Sequence, residues 1–241
     1  MKYISLFKED KIEFLCEEED FGIIPAPERS SKFMPNWYAK LSTHTKDSRD
    51  RRGNFAMTAK KCLPMLDIMT EGYIIPLFGD VHVRTNKDCS KIDIDPQNPY
   101  GKILELHSDL QVGGTNFPLY PKPIVKFLNR WIIKTSPGWS CLFVAPANHL
   151  ETRWLTLNAV VDTDNYMQYI NFPVVWMEND FDDVIYSGTP IIQVIPFKRS
   201  NRLTKNQSRK LSKKEQKEHE KVIKTQDLKD HYYTKDLREK R

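Results

Sequence analysis

A chain of 241 residues with 39% hydrophobic and 29% charged residues is long enough to bury its own core, and twelve Phe, ten Tyr and five Trp supply large apolar side chains for it. The four cysteines, Cys16, Cys62, Cys89 and Cys141, form no C-x-x-C pair, and the N-terminal stretch lacks the apolar centre of a secretory signal. A zinc ribbon and a disulfide framework are thereby disfavoured, and reduced thiols in a cytoplasmic protein are expected. No apolar run reaches the ~18 residues of a membrane helix.

Along the chain, Tyr3–Phe7 and Ile12–Leu15 carry the aromatic and β-branched pattern of a strand or hairpin, followed by the acidic cluster Glu17–Asp20. Two prolines in Pro25-Ala26-Pro27 forbid regular structure. A short helix is predicted after Pro35, with Trp37, Tyr38 and Leu41 on one face, and the polar stretch Ser42–Arg52 reads as a loop. Thr58 is a plausible N-cap for a Met-rich helical segment that Pro64 delays and Gly72 ends. Tyr73–Phe78 and Val81–Arg84 then read as two strand pieces around Gly79-Asp80, and Asp93–Gly101 as a turn-rich connection.

From Lys102 the pattern becomes that of a sheet: Ile103–His107, Ile124–Thr135, Trp139–Val144, Trp154–Val161, Met167–Trp176 and Thr189–Phe197. Their spacing suits a sandwich or barrel. All nine glycines lie at or before Gly188, and the chain then turns polar. From Lys198 to Arg241 there are 16 Lys and Arg against 7 Asp and Glu, a net +9 that leaves −4 for residues 1–197 out of a total of +5. Ser212-x-x-Glu215 is a capping-box signature, so the tail is expected to be a charged helix or a frayed helical extension. The organisation predicted is a mixed strand and short-helix portion (1–101), a β core of the same domain (102–199) and a basic tail (200–241). A basic tail on a mildly acidic body suggests an acidic partner, nucleic acid among them.

Val160-Val161-Asp162-Thr163-Asp164-Asn165-Tyr166, followed by Gly188-Thr189-Pro190-Ile191-Ile192-Gln193, resembles the β-clip fold of dUTPases and dCTP deaminases. The resemblance covers residues 160–197 and implies a β-clip-like barrel or sandwich. In those enzymes an aspartate at this hairpin tip contacts a sugar hydroxyl, a role that falls on Asp162 or Asp164; Tyr166 and Gln193 complete the implied ligand-binding set, with Gln193 expected to face the core or to bond backbone. It also implies self-association, because β-clip active sites lie between subunits. No counterpart of the arginine segment that clamps phosphates in those enzymes is found, and no glycine follows Gly188 to form their C-terminal arm. The whole chain further resembles a family of phage and bacterial proteins of uncharacterised chemistry. They share Pro25-Ala26-Pro27 before a Trp37 helix, Lys60-x-Cys62-x-Pro64-x-x-Asp67 before Gly72-Tyr73, and the strand Gly188–Phe197. That implies a phage setting, with the host cytoplasm as its location.

Other constellations remain. His107-Ser108-Asp109 has the H-x-D spacing of two facial ligands, with His149 as a third and Arg153 for an acidic co-substrate, as an iron-dependent oxygenase would need. Asp93, Asp95 and Asn98 alternate oxygens as calcium loops do, but Pro96 intrudes and turn chemistry explains them better. Asn179–Asp183 reads as a solvated acidic hairpin loop. Trp131, Trp139, Trp154 and Trp176 read as core rather than as a stacking platform. No cofactor is predicted, with Fe or Mg as the alternatives. Three functions follow: a non-catalytic phage-type interaction module, a nucleotide-binding or nucleotide-hydrolysing β-clip protein, and an iron oxygenase.

Overall fold

The computed structural model describes residues 9–50, 53–95, 99–201, 203–228 and 232–239; the strand expected at Tyr3–Phe7 and the candidate ligand Asn98 lie outside these. The chain divides into two compact units, Met1–Asn201 and Arg202–Arg241. In chain order the strands of the first unit begin with β1 (Ile12–Leu15), β2 (Glu28–Arg29), β3 (His44–Arg49), β4 (Phe55–Met57), β5 (Tyr73–Pro76), β6 (Val81–Thr85), β7 (Ile92–Ile94) and β8 (Leu104–His107). They continue with β9 (Ile124–Phe127), β10 (Ile132–Thr135), β11 (Trp139–Val144), β12 (Trp154–Thr156), β13 (Ala159–Val161), β14 (Phe172–Trp176), β15 (Asp182–Ile185) and β16 (Pro190–Lys198). Two short helices, α1 (Asn36–Lys40) and α2 (Leu63–Thr70), interrupt the early strands.

The architecture is mainly β, with antiparallel pairing throughout the described strands. A five-stranded sheet runs β13-β11-β16-β5-β2, a four-stranded sheet β12-β14-β9-β8 and a three-stranded sheet β15-β6-β7, with the ribbons β1-β10 and β3-β4. The three larger sheets bury one common core that includes Val83, Phe127, Phe143, Trp154, Trp176 and Val194. Alternation sets which face turns inward: on β6, Val81 and Val83 are buried and Arg84 is exposed. Each fully buried Val, Ile or Phe contributes about 1.5–3 kcal/mol relative to exposure.

Strand β16 departs from alternation, being buried continuously from Ile191 to Val194, because α2 and the loop after β11 cover its second face. Gln193 ties that cover down. Its Nε2 donates to the carbonyls of Ile68 (2.8 Å) and Glu71 (2.7 Å), and its Oε1 accepts from Ala147 N at 2.9 Å. Gly72 allows the close approach of α2 to this strand: its φ is +66°, and a Cβ there would lie 2.1 Å from the Val194 carbonyl oxygen.

Several expectations need correction. Within the expected loop Ser42–Arg52, of which Arg51 and Arg52 lie outside the described residues, His44–Arg49 is a strand that pairs with Phe55–Met57; its polar side chains suit a ribbon that is solvated on both faces, which hydropathy alone hides. Asp182 is likewise in a strand and not in a solvated loop. It lies opposite Arg84, and its Oδ1 is 2.7 Å from His82 Nε2 and 3.3 Å from Arg84 Nε, so cross-strand charge pairing accounts for the acidic sequence. Strands β5 and β6 do form on either side of Gly79-Asp80 as the sequence reads. They enter different sheets.

In the second unit, residues 203–212 have no regular structure and are exposed, and α3 (Lys213–Leu228) follows. The capping box forms as the sequence reads: Ser212 N donates to Glu215 Oε2 at 2.8 Å, and Glu215 N donates to Ser212 Oγ at 3.3 Å. No helix among the described residues is long and apolar enough to cross a membrane.

Candidate functional site

The turn after β13 and the end of β16 meet at the β10–β11 turn, where Gly138 N donates to Asp164 Oδ2 at 2.7 Å. The register Trp139↔Lys198 delivers the next residue, Arg199, to the same place. Arg199 grips Asp164 with both terminal nitrogens, at 3.0 Å to Oδ1 and 2.5 Å to Oδ2, and also donates to the Trp139 carbonyl at 2.7 Å and to Ser140 Oγ at 3.1 Å. Ser140 Oγ in turn donates to Asp162 Oδ1 at 2.5 Å. The Arg199 hydrogen bonds, with the Gly138 amide, hold the Asp164 carboxyl down at about 2.

The structure therefore brings Asp162 and Asp164 together, around an arginine whose place in the sequence marks it only as tail charge. The Asp164 side chain is 4% exposed and its oxygens are occupied by chain donors. Asp162 remains 61% exposed, 3.4 Å from Arg199. Tyr166 is exposed at the surface. Gln193 is buried elsewhere, and both its amide nitrogen and its amide oxygen are engaged by backbone, so it is the core-facing, backbone-bonding residue expected of it and lies apart from the Asp162–Asp164 cluster. Beneath the cluster, Thr163 Oγ1 meets Thr135 Oγ1 at 2.8 Å and Cys141 Sγ at 3.3 Å, and burial pushes the Cys141 thiol up to about 11. All four cysteines are free thiols, Cys89 and Cys141 buried and Cys62 exposed.

His107, Asp109 and His149 are not assembled into a metal centre. Among the described residues no three His, Cys, Asp or Glu side chains are placed to hold a metal ion. The H-x-D pair sits at the end of β8 and the turn after it, lining a cleft of about 280 Å³ with Tyr120 and Lys122. Burial, helped by Lys126, lowers the His107 pKa. His149 is half-buried on the β11–β12 loop, where burial lowers its pKa against a hydrogen bond to the Phe33 backbone. Arg153 is committed to Glu151 through its Nε and Nη2, at 2.9 and 2.7 Å, and lies 4.6 Å from the centre of the Trp154 ring. Asp93 is in β7, 3.4 Å from Arg84, rather than in a calcium loop. Trp131, Trp154 and Trp176 are core residues, whereas Trp139 is half-buried and lines a cleft of about 330 Å³ beside Tyr73 and Lys11.

The remaining feature is the basic segment. Residues 198–214 contain eight Lys and Arg and no Asp or Glu, whereas residues 215–241 hold eight basic and seven acidic residues. The positive charge thus lies mostly ahead of α3 rather than on it. Some of it is already neutralised: Lys198 is 3.3 Å from Asp10, Arg199 holds Asp164, and Arg209 holds Glu215 with bonds of 2.7 and 2.6 Å. Among the described residues Lys205, Lys210, Lys213 and Lys214 have no acidic partner. Compared with protein-family models and with curated protein sequences, the chain gives no match.

Proposed function

We propose that the chain is a non-catalytic, phage-type interaction module. Its β-clip-like body docks on a partner protein or a second copy, and the lysines that follow it hold a polyanion, nucleic acid. The observation that carries this reading is the run of eight basic residues without an acid in 198–214, whose described middle, 203–212, is exposed and free of regular structure. An extended chain advances about 3.3–3.6 Å per residue, so ammonium groups on such a segment can follow closely spaced phosphates while releasing counterions. The β-clip-like reading of residues 160–197 is supported by the turn closed between Asn165 N and the Asp162 carbonyl at 3.1 Å, and by β16 returning beside β11, next to β13.

The state of the other candidates supports binding over turnover. Asp164 and Gln193 spend their polar atoms on the fold, and the Cys141 thiol stays protonated at neutral pH. The test is duplex DNA binding as a function of salt by the full chain and by a variant with Lys205, Lys210, Lys213 and Lys214 all changed to Gln. The log–log salt slope should fall by about 0.9 for each phosphate that is no longer neutralised, about 3–4 in all. An unchanged slope rejects the reading, as does binding of an acidic protein surface with none to DNA.

A further inference from the structure

Two sheet edges face one another without pairing. In an antiparallel ladder, the residues that exchange hydrogen bonds with a neighbour alternate with residues whose N–H and C=O point the other way. Leu128 N donates to the Ile103 carbonyl at 2.9 Å, so with the register Glu105↔Lys126 and His107↔Ile124 the inward positions of β8 are 103, 105 and 107. Leu104 and Leu106 therefore turn their backbone groups to the free side. On β7, Asp95 N donates to the His82 carbonyl at 3.0 Å and the Lys91 carbonyl accepts from Asn86 N at 3.4 Å, which leaves Ile92 and Ile94 turned outward. Among the described residues these outward backbone groups have no partner. Between the two edges runs a cleft of about 410 Å³, bounded by residues 92–95 on one side and 102–106 on the other. At Leu106 it joins the cleft of about 280 Å³ that holds His107, Asp109 and Tyr120.

We propose that this groove takes an extended, basic segment of a partner protein by strand addition. Unpaired ladder groups select an extended backbone, because only a strand meets them in register. The charge of the lining selects its side chains. Four carboxylates line the groove, Asp93, Asp95, Glu105 and Asp109, against Lys102 and Lys122; Arg84 lies 3.4 Å from Asp93, and the Lys122 ammonium is drawn to Asn179 Oδ1 at 2.6 Å. At the far end the exposed Tyr120 ring and the Asp109 carboxylate offer a cation both a π face and a counter-charge. Leu106, 59% exposed at the junction, gives the incoming strand an apolar contact. This groove gives the body its own partner and does not draw on the lysines after β16.

The test uses the full chain and an acetylated, amidated peptide of four Lys-Val repeats, read by fluorescence anisotropy. The same peptide N-methylated at each Val keeps the charge but loses alternate N–H donors, and its affinity should fall by about tenfold or more. Leu106→Pro removes an outward donor without touching the bonds to β9 and should cost a similar factor. Asp109→Asn should cost about threefold, more at low salt. The variant with Lys205, Lys210, Lys213 and Lys214 changed to Gln should bind the peptide as the unaltered chain does, which separates this groove from the polyanion site. Equal binding of the N-methylated peptide overturns the proposal, even where Leu106→Pro fails to fold. Absence of binding overturns it too, as does a dimer that Leu106→Pro dissociates, which would assign the edge to a second copy.

Discussion

Arg199 and Arg209 make the same chemical gesture with different consequences. Each holds a carboxylate with both terminal nitrogens, and each partner, Asp164 or Glu215, is pushed down to about 2. Arg199 reaches 35 residues back along the chain to a side chain that is 4% exposed and also receives the Gly138 amide. Arg209 reaches six residues forward to a side chain that is 35% exposed. The first pair fastens the end of the last strand to the turn between β10 and β11. The second fixes only the start of α3. An arginine after a β body can thus belong to the fold or to the tail, and composition does not tell which.

That contrast is broken hardest where tertiary cross-linking is densest. Gln193→Met keeps the length of the side chain and removes its amide, leaving Ala147 N and the carbonyls of Ile68 and Glu71 without it. The Glu71 carbonyl still accepts from Ser30 Oγ at 2.8 Å and the Ile68 carbonyl from Glu71 N at 3.4 Å, so Ala147 N is the group this change strands. At ~1–3 kcal/mol for such a group, urea unfolding of the body should shift by about 1–3 kcal/mol. The helical content of α3 should not change beforehand. A loss under ~1 kcal/mol would mean that water replaces the amide and that α2 is not held by Gln193.

The two carboxylates sharpen the contrast through pH. A carboxyl whose folded pKa lies below its unfolded value binds fewer protons in the folded state, so its contribution is present above about pH 4 and is lost as pH falls through about 2. Both Asp164 and Glu215 fall in that window, held down first by their arginine hydrogen bonds. The observables differ. Asp164→Asn should flatten the decline in body melting temperature between pH 5 and pH 2. Glu215→Gln should leave that profile unchanged and remove a pH-dependent loss of helical ellipticity. If Glu215→Gln alters body melting, the tail pair is coupled to the body.

What was legible in the sequence follows the same division. The alternation of Val81–Thr85, the apolar run of β11 and the capping box Ser212–Glu215 are local signals, and each forms where it is written. The pairing of Ile12–Leu15 with β10, more than 110 residues away, leaves no local trace, and neither does the split of β5 and β6 between sheets. Asp162 and Asp164 stand out through the resemblance of residues 160–197 to the β-clip pattern. Arg199 does not stand out, because its meaning depends on the register between β11 and β16. Had Trp139 been paired opposite Lys198, Arg199 would have fallen beside Pro137-Gly138 and its aspartate. The free edges of β7 and β8 were hidden for a related reason, since an unpaired edge is a property of sheet order and not of any one strand.

The smallest effect tests the tail side of the contrast alone. Ser212→Ala deletes the hydroxyl that accepts from Glu215 N and breaks one half of the capping box. Losing a serine cap costs about 0.5–1 kcal/mol of helix stability, and α3 has little tertiary packing to offset it, since nearly all of its described side chains are exposed. The 222 nm ellipticity should therefore fall by a measurable fraction while the denaturant midpoint of the body stays where it was. Glu215 would also lose a hydrogen bond that lowers its pKa, with that from Arg209 remaining the larger cause. The pH at which the helix signal declines should then rise modestly toward the usual carboxylate value. Were Ser212→Ala to move the body midpoint as well, the second unit would be part of the folding unit, and the distinction between Arg199 and Arg209 would reduce to one of exposure.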